Sequence, residues 1–409
     1  MPRYRTAAEL GLMRGTPAPA DRLVTLANWQ DPPFNRWGFQ HVRDLIPTAR
    51  IPRGDGPVWR LPRAELDLDG LGYRSRRRTL TVGKMLEATA TDGFMILHEG
   101  RVITERYLNG MTPDTTHLLM SVSKSITSTV AGILVGRGEL DPLALVPDVV
   151  PELDGTSFEG CTVQDLLDMR AGTRFSEDYE DLKAEVRVYE QVYLWRPRTS
   201  RRLPADATEY FATLKNDGPH GGPFRYRSVL TDVLAWVIER AGGARLPELI
   251  SREVWQPMGA EFDAEVTVDA HGNSMADGGI CTTLRDLARF GQLFLNGGRR
   301  GGKRIVPAAW IRDIVRGGPD SADAFATSPD HDEEFEDWRA GGHYRNKWWV
   351  PEPDGPIYMG LGINGQQVLV HGPGRLVMAK CSTWATALDA TAVRLAYDAA
   401  CAISDELNG

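Results

Sequence analysis

Ser121 and Lys124 stand three residues apart in Leu118-Leu119-Met120-Ser121-Val122-Ser123-Lys124-Ser125, and the chain holds no other S-x-x-K. Residues three apart on an α-helix share a face, about 4.5 Å apart along the axis. The serine hydroxyl then comes within reach of the lysine amine. At a helix N-terminus the serine also meets unpaired N–H groups and the positive end of the helix dipole, which suit a developing oxyanion. A lysine enclosed in a partly desolvated site can lose its proton near neutrality and act as base. The chemistry this spacing offers is acyl transfer through a serine nucleophile. The competing reading is a capping serine followed by a solvated lysine, and the next turns decide between them. The residues after Ser121 are too apolar for a surface helix, and a lysine in the first turn of a buried helix is costly without a function or a partner.

Two further groups fit that chemistry. Tyr226, in Phe224-Arg225-Tyr226-Arg227-Ser228, precedes an apolar helical run and can present its phenol to a cleft, relaying the serine proton to a leaving group. Tyr107-Leu108-Asn109 and Tyr344-Arg345-Asn346 are literal Y-x-N triplets, but neither heads a buried helix. Gly360-Leu361-Gly362-Ile363-Asn364-Gly365-Gln366 puts closely spaced glycines at a strand start, where backbone can approach a ligand. One N–H there is placed to pair with that of Ser121 as an oxyanion hole.

The elements that must position these residues follow from the apolar pattern. Residues 93–109 read as two strands around His98-Glu99-Gly100, a hairpin signal, and 366–384 as a second such unit around the HGPG at 371–374. Between them the chain turns helical. Val122, Ile126, Val130, Ile133 and Leu134 predict a helix over 121–137, closed by Gly138. Leu230, Val233, Leu234 and Val237 predict another over 228–241, with Ser228 as its N-cap. Residues 1–80 are expected to wrap around the core, and the acidic 320–340 to form an exposed loop. Strands, then helices, then strands imply an α/β domain from residues 1–162 and 276–409, an inserted mainly helical domain at 163–275, and a cleft between them.

Composition excludes several classes. A net charge of −8 leaves no basic footprint for nucleic acid, and the Arg74–Arg78 run reads as a solvated face. No apolar stretch is long enough to span a membrane, and the N-terminus lacks a signal-peptide core, so a cytoplasmic protein is expected. Four scattered cysteines read as reduced thiols. Gly297 to Arg304 nearly matches a phosphate-binding loop, but Arg304 stands where Ser or Thr must hold magnesium, so a hairpin is expected. No metal-ligand spacing and no G-x-S-x-G elbow occurs. No metal or cofactor is expected, and the eight histidines are isolated.

Taken in order, these elements resemble the serine β-lactamase and penicillin-binding superfamily, in its class C-like branch. The resemblance is closest to the 6-aminohexanoate-dimer hydrolases and their carboxylesterase relatives. It is carried by Asn28 to Trp37 (NWQDPPFNRW), His117 to Ser125, Thr231 to Arg240, Asp277 to Arg289 and Gly360 to Gln366. It implies a class C β-lactamase-like α/β fold, with an antiparallel sheet flanked by helices, and a small ester or amide as substrate. It implies Ser121, Lys124 and Tyr226 as catalytic residues, and an oxyanion hole from the amides of Ser121 and Ile363. Tyr179 matches a tyrosine that closes over substrate, and Glu190 an acidic residue that receives a free amine. Asp277, Gly362 and Trp348, with Trp349, match further pocket positions. Relatives of this kind also point to a homodimer.

The sequence departs from the pattern in three places. Gly360-Leu361-Gly362 replaces the Lys-Thr-Gly that would anchor a penicillin carboxylate, Arg227-Ser228 follows Tyr226, and Glu190 is a methylene longer than aspartate. The expectation is therefore an acyl-enzyme hydrolase of small esters and of linear amides such as 6-aminohexanoate oligomers. A β-lactamase or D-Ala-D-Ala peptidase is one alternative, and a non-catalytic binding protein on the same fold is the other.

Overall fold

The computed structural model describes residues 4–179, 181–330, 333–352 and 356–409. After Thr48–Ile51 (β1), the first expected hairpin forms from Thr91–His98 (β2) and Arg101–Tyr107 (β3). Glu99 and Gly100 between them both have positive φ, as a two-residue type I′ turn requires. His117–Leu118 (β4) leads into Val122–Arg137 (α1), and Glu185–Val192 (α2) and Val229–Gly242 (α3) follow. Next come Ala264–Thr267 (β5), Ile280–Thr282 (β6) and Leu284–Leu295 (α4). His343–Arg345 (β7), Trp348–Val350 (β8), Ile357–Gly362 (β9), Gln366–His371 (β10), Leu376–Ser382 (β11) and Ala390–Asn408 (α5) complete the set used below.

A seven-stranded sheet has the order β7-β8-β9-β10-β11-β2-β3, with all neighbours antiparallel. The β11–β2 pair joins the two halves of the chain, with Leu376 opposite His98 and Cys381 opposite Gly93. β2 and β11 are buried along their whole length because both faces are covered. Strand alternation sorts the side chains. Phe94, Ile96 and Met378 pack with Leu395, Ala396 and Ala399 of α5, whereas Met95, Leu97, Val377 and Ala379 join the core that holds α1 and α4. A smaller antiparallel sheet runs β1-β5-β6-β4 and leads directly to the S-x-x-K turn.

Helix α1 is enclosed on every side: every residue from Val122 to Leu134 is buried, and Gly138 ends it at φ 73°. A buried central helix is what the apolar run required. Residues 299–304 form the expected hairpin, and all four cysteines are free. The acidic stretch at 320–340 is not a plain loop. Ser321–Ala326 and Glu336–Arg339 are helical because Phe325 and Trp338 anchor them in the interior, while His331 and Asp332 lie outside the described residues. Among the described residues no helix is long and apolar enough to cross a membrane.

Candidate active site

Ser121 is presented by a tight turn between β4 and α1. Met120 there has φ +46°, a region that residues with side chains rarely occupy. The turn is pinned from the Leu119 N–H to the Ile280 carbonyl of β6 and closed by Val122 N–H to Leu119 and Ser123 N–H to Met120. Ser121 is thereby set at the head of α1, yet its side chain caps nothing. Its Oγ faces Lys124 instead. The Lys124 Nζ, only 1% exposed, donates to Ser121 Oγ at 2.8 Å, to Ser228 Oγ at 2.9 Å and to the Asp277 carbonyl at 2.9 Å.

Ser228 corrects the sequence reading. It stands at the head of α3 but makes no side-chain cap bond, because its hydroxyl turns to Lys124. The residue that breaks a clean x-Asn after Tyr226 therefore supplies a contact to the lysine. Glu177 accepts the Ser228 N–H that a capping side chain would not have reached.

Tyr226 is set just before α3 in an extended segment held by Phe224 N–H to Ala324 and Arg225 N–H to Met169. Its ring stacks on Trp349 at 5.7 Å and 23°, meets Tyr344 edge-on, and lies with its centroid 5.1 Å from Lys124 Nζ. Burial pulls the ammonium down, but Tyr226, Asp277, Glu177 and Asp232 together outweigh it and hold Lys124 above the ordinary lysine value. Lys124 is therefore not the neutral amine expected from desolvation alone, because these acidic neighbours crowd the same few ångströms. Burial likewise raises the Tyr226 phenol, against the pull of the Lys124 charge. Asp232 is pushed well above the usual carboxylate range by burial and by Asp277.

A small cavity opens at Ser121, with Met120, Tyr179, Glu190, Asp277 and Ile363 in its wall. Ser121 and Ile363 thus face one space, and neither N–H is taken by a backbone carbonyl in the turns and loops of the described residues. Gly362 lets this happen: a Cβ there would sit 2.6 Å from the Leu119 carbonyl, so β9 can press against the nucleophile turn only as glycine. Tyr179 is half-buried on the wall and donates to Glu177 at 3.4 Å. Glu190 is on the wall too, but its carboxylate is held by Arg187 at 2.9 and 3.1 Å and by Arg196 at 2.7 Å.

Trp348 is not brought to the cavity. Its ring is fully buried against Phe294, Tyr358 and Phe290, and strand alternation in β8 gives Trp349 to Tyr226. Four residues at the site escaped sequence reasoning: Glu177, Asp232, Arg187 and Arg196. Only the Arg187–Glu190 spacing of i, i+3 carried a signal.

Comparison with known proteins gives the family. The family model described as Beta-lactamase matches residues 81–328. A 6-aminohexanoate-dimer hydrolase of Paenarthrobacter ureafaciens is 38% identical over 360 residues, covering 88% of each chain. Among solved structures, a Bacillus anthracis protein provisionally described as a 6-aminohexanoate-dimer hydrolase superposes with a TM-score of 0.85 at 26% identity, covering 95% of this chain and 98% of that one. A family VIII carboxylesterase shares the fold at TM-score 0.55 and 19% identity, covering 76% of this chain and 92% of its own. With Ser121 and Lys124 set as a pair at the head of a buried helix, and with matches of this extent, the chain belongs to the beta-lactamase family, in the group that holds the 6-aminohexanoate-dimer hydrolases, and is by family a serine-type hydrolase.

Proposed function

We propose that this enzyme forms an acyl-enzyme on Ser121 and cleaves small carboxylic esters and linear amides of the 6-aminohexanoate type. The observation that carries the reading is the 2.8 Å contact between Lys124 Nζ and Ser121 Oγ, where Ser121 borders a small cavity. Ser121 Oγ attacks the carbonyl carbon, and its oxygen gathers charge beside the N–H groups of Ser121 and Ile363. The serine proton passes to the Tyr226–Lys124 pair and on to the departing alcohol or amine. Water then repeats the attack on the acyl-serine and frees the acid.

The raised Lys124 assigns the parts of that relay. In the resting site the lysine is an ammonium that holds Ser121 and polarises Tyr226. The reactive form is the pair after loss of one proton, with phenolate character on Tyr226 beside the Lys124 ammonium. The 38% identical relative, named for an amide substrate, supports the amidase half of the reading. Ester cleavage asks less of Glu190, where a substrate ammonium has to compete with two guanidinium groups. Turnover of p-nitrophenyl butyrate and of the 6-aminohexanoate linear dimer by wild type and Ser121→Ala tests this. Loss of both activities in the variant is expected, and an unchanged rate on the ester would sink the assignment.

A further inference from the structure

We propose that Asp277 is a receptor for a protonated amine on the carbon next to the carbonyl that Ser121 attacks, making small α-amino acyl esters and amides a preferred substrate class. The proposal rests on the acyl-enzyme reading above and adds to it a choice of acyl group.

Asp277 is 6% exposed and lines the same cavity as Ser121. The three protons of the Lys124 ammonium point to Ser121 Oγ, Ser228 Oγ and the Asp277 backbone carbonyl. The Asp277 carboxylate is left with a long 3.4 Å approach at Oδ2, and its Oδ1 is buried with no hydrogen-bond partner. A buried carboxylate oxygen without a donor is costly, so a donor that arrives with the substrate gains the full benefit of completing it. Glu190, the other carboxylate on this wall, contrasts with it, because Arg187 and Arg196 already engage it. The two acids therefore offer a substrate amine unequal welcomes: two guanidinium groups hold Glu190 closely, whereas Asp277 has one long ammonium contact and an unpartnered Oδ1.

Distance selects the position of that amine. Ser121 Oγ and Asp277 Oδ2 lie 2.8 and 3.4 Å from the same Nζ, so they are within ~6.2 Å of each other. With bonds of about 1.5 Å, an α-amino nitrogen stands three bonds from Oγ in the acyl-enzyme and reaches the carboxylate at hydrogen-bond distance. An amine at the far end of a six-carbon acyl chain overshoots it.

The test compares the p-nitrobenzyl esters of D- and L-alanine with the ester of isobutyrate, in which a methyl group replaces the ammonium. The expected result is a kcat/KM at least tenfold higher for one alanine ester, carried mainly by KM, with Asp277→Asn bringing the ratio near one. Because any change in Lys124 affects both esters alike, the ratio isolates amine recognition. Labelling of Ser121 by a fluorophosphonate in Asp277→Asn reports that the variant is folded. A wild-type preference for isobutyrate, an unchanged ratio in folded Asp277→Asn, or turnover of p-nitrophenyl acetate without turnover of either amino ester would overturn the proposal. Persistence of isobutyrate ester cleavage in Ser121→Ala would instead overturn the acyl-enzyme reading.

Discussion

The Ser228 hydroxyl accepts a 2.9 Å hydrogen bond from Lys124 Nζ, so the first residue of one buried helix holds the lysine of another. Hydrogen bonds to charged groups contribute about 1.5–3 kcal/mol. Ser228→Ala is therefore expected to lower kcat by roughly 10- to 100-fold on a p-nitrophenyl ester. The melting temperature should fall too, because a buried ammonium loses one of its partners. Thr283→Ala is the contrasting control. Its side chain accepts the Asp286 N–H at 3.3 Å as a true cap of α4, and its loss should cost about 1 kcal/mol of stability.

The rate should rise with pH. Burial and its neighbours leave both Lys124 and Tyr226 above their ordinary values, so the pair gives up its first proton only on the alkaline side of neutrality. Glu177 raises both groups, and Glu177→Gln removes that anion. The expected outcome is an alkaline limb in kcat/KM that moves to lower pH in the variant. A limb at the wild-type position would show that Glu177 does not act on the pair.

The two adjacent tryptophans should separate cleanly. Trp348→Ala empties a fully buried site and is expected to cost roughly 3–5 kcal/mol in urea unfolding. Trp349→Ala removes the ring stacked on Tyr226, so its main effect should be on kcat.

Lys380 offers a test away from the chemistry. It is fully buried on β11, donates to Ser382 Oγ, and is pulled down to about 7, with burial the chief cause and Arg36 adding to it. Between that value and the ordinary lysine value the unfolded chain binds more protons than the folded one, so stability rises with pH across this window. Lys380→Met should flatten that slope and raise the melting temperature at pH 7 by about 2–5 °C. Scanning calorimetry at pH 7 and pH 9.5 reads both effects.

Local features were legible where short-range physics decides. The apolar run closed by Gly138 specified α1, and Glu99-Gly100 specified the β2–β3 turn. Ser121 and Lys124 were legible because helical spacing alone brings them together. Ser228 misled because an N-terminal serine usually caps its own helix, and its real partner lies 104 residues away. Trp348 misled for a different reason: the phase of a three-residue strand decides which of two neighbours stacks on Tyr226, and composition does not carry that phase. Glu177 was hidden in an acidic run that reads as solvated surface, and the clamp on Glu190 needs Arg196 folded back from beyond the end of α2.

The pairing of β11 with β2 sets the order in which the cavity at Ser121 is completed. A growing chain emerges from the ribosome with Ser121 and Lys124 long before β9 through β11 exist, and β2 has no inner neighbour until residues 376–382 arrive. Ile363 comes from that same late segment. A nascent chain thus carries Ser121 without the second wall of the cavity until that segment arrives, and pairing across so wide a sequence gap is slow. The cavity at Ser121 therefore gains its Ile363 wall only after the segment from Ile363 to Ser382 has been made and has paired with β2.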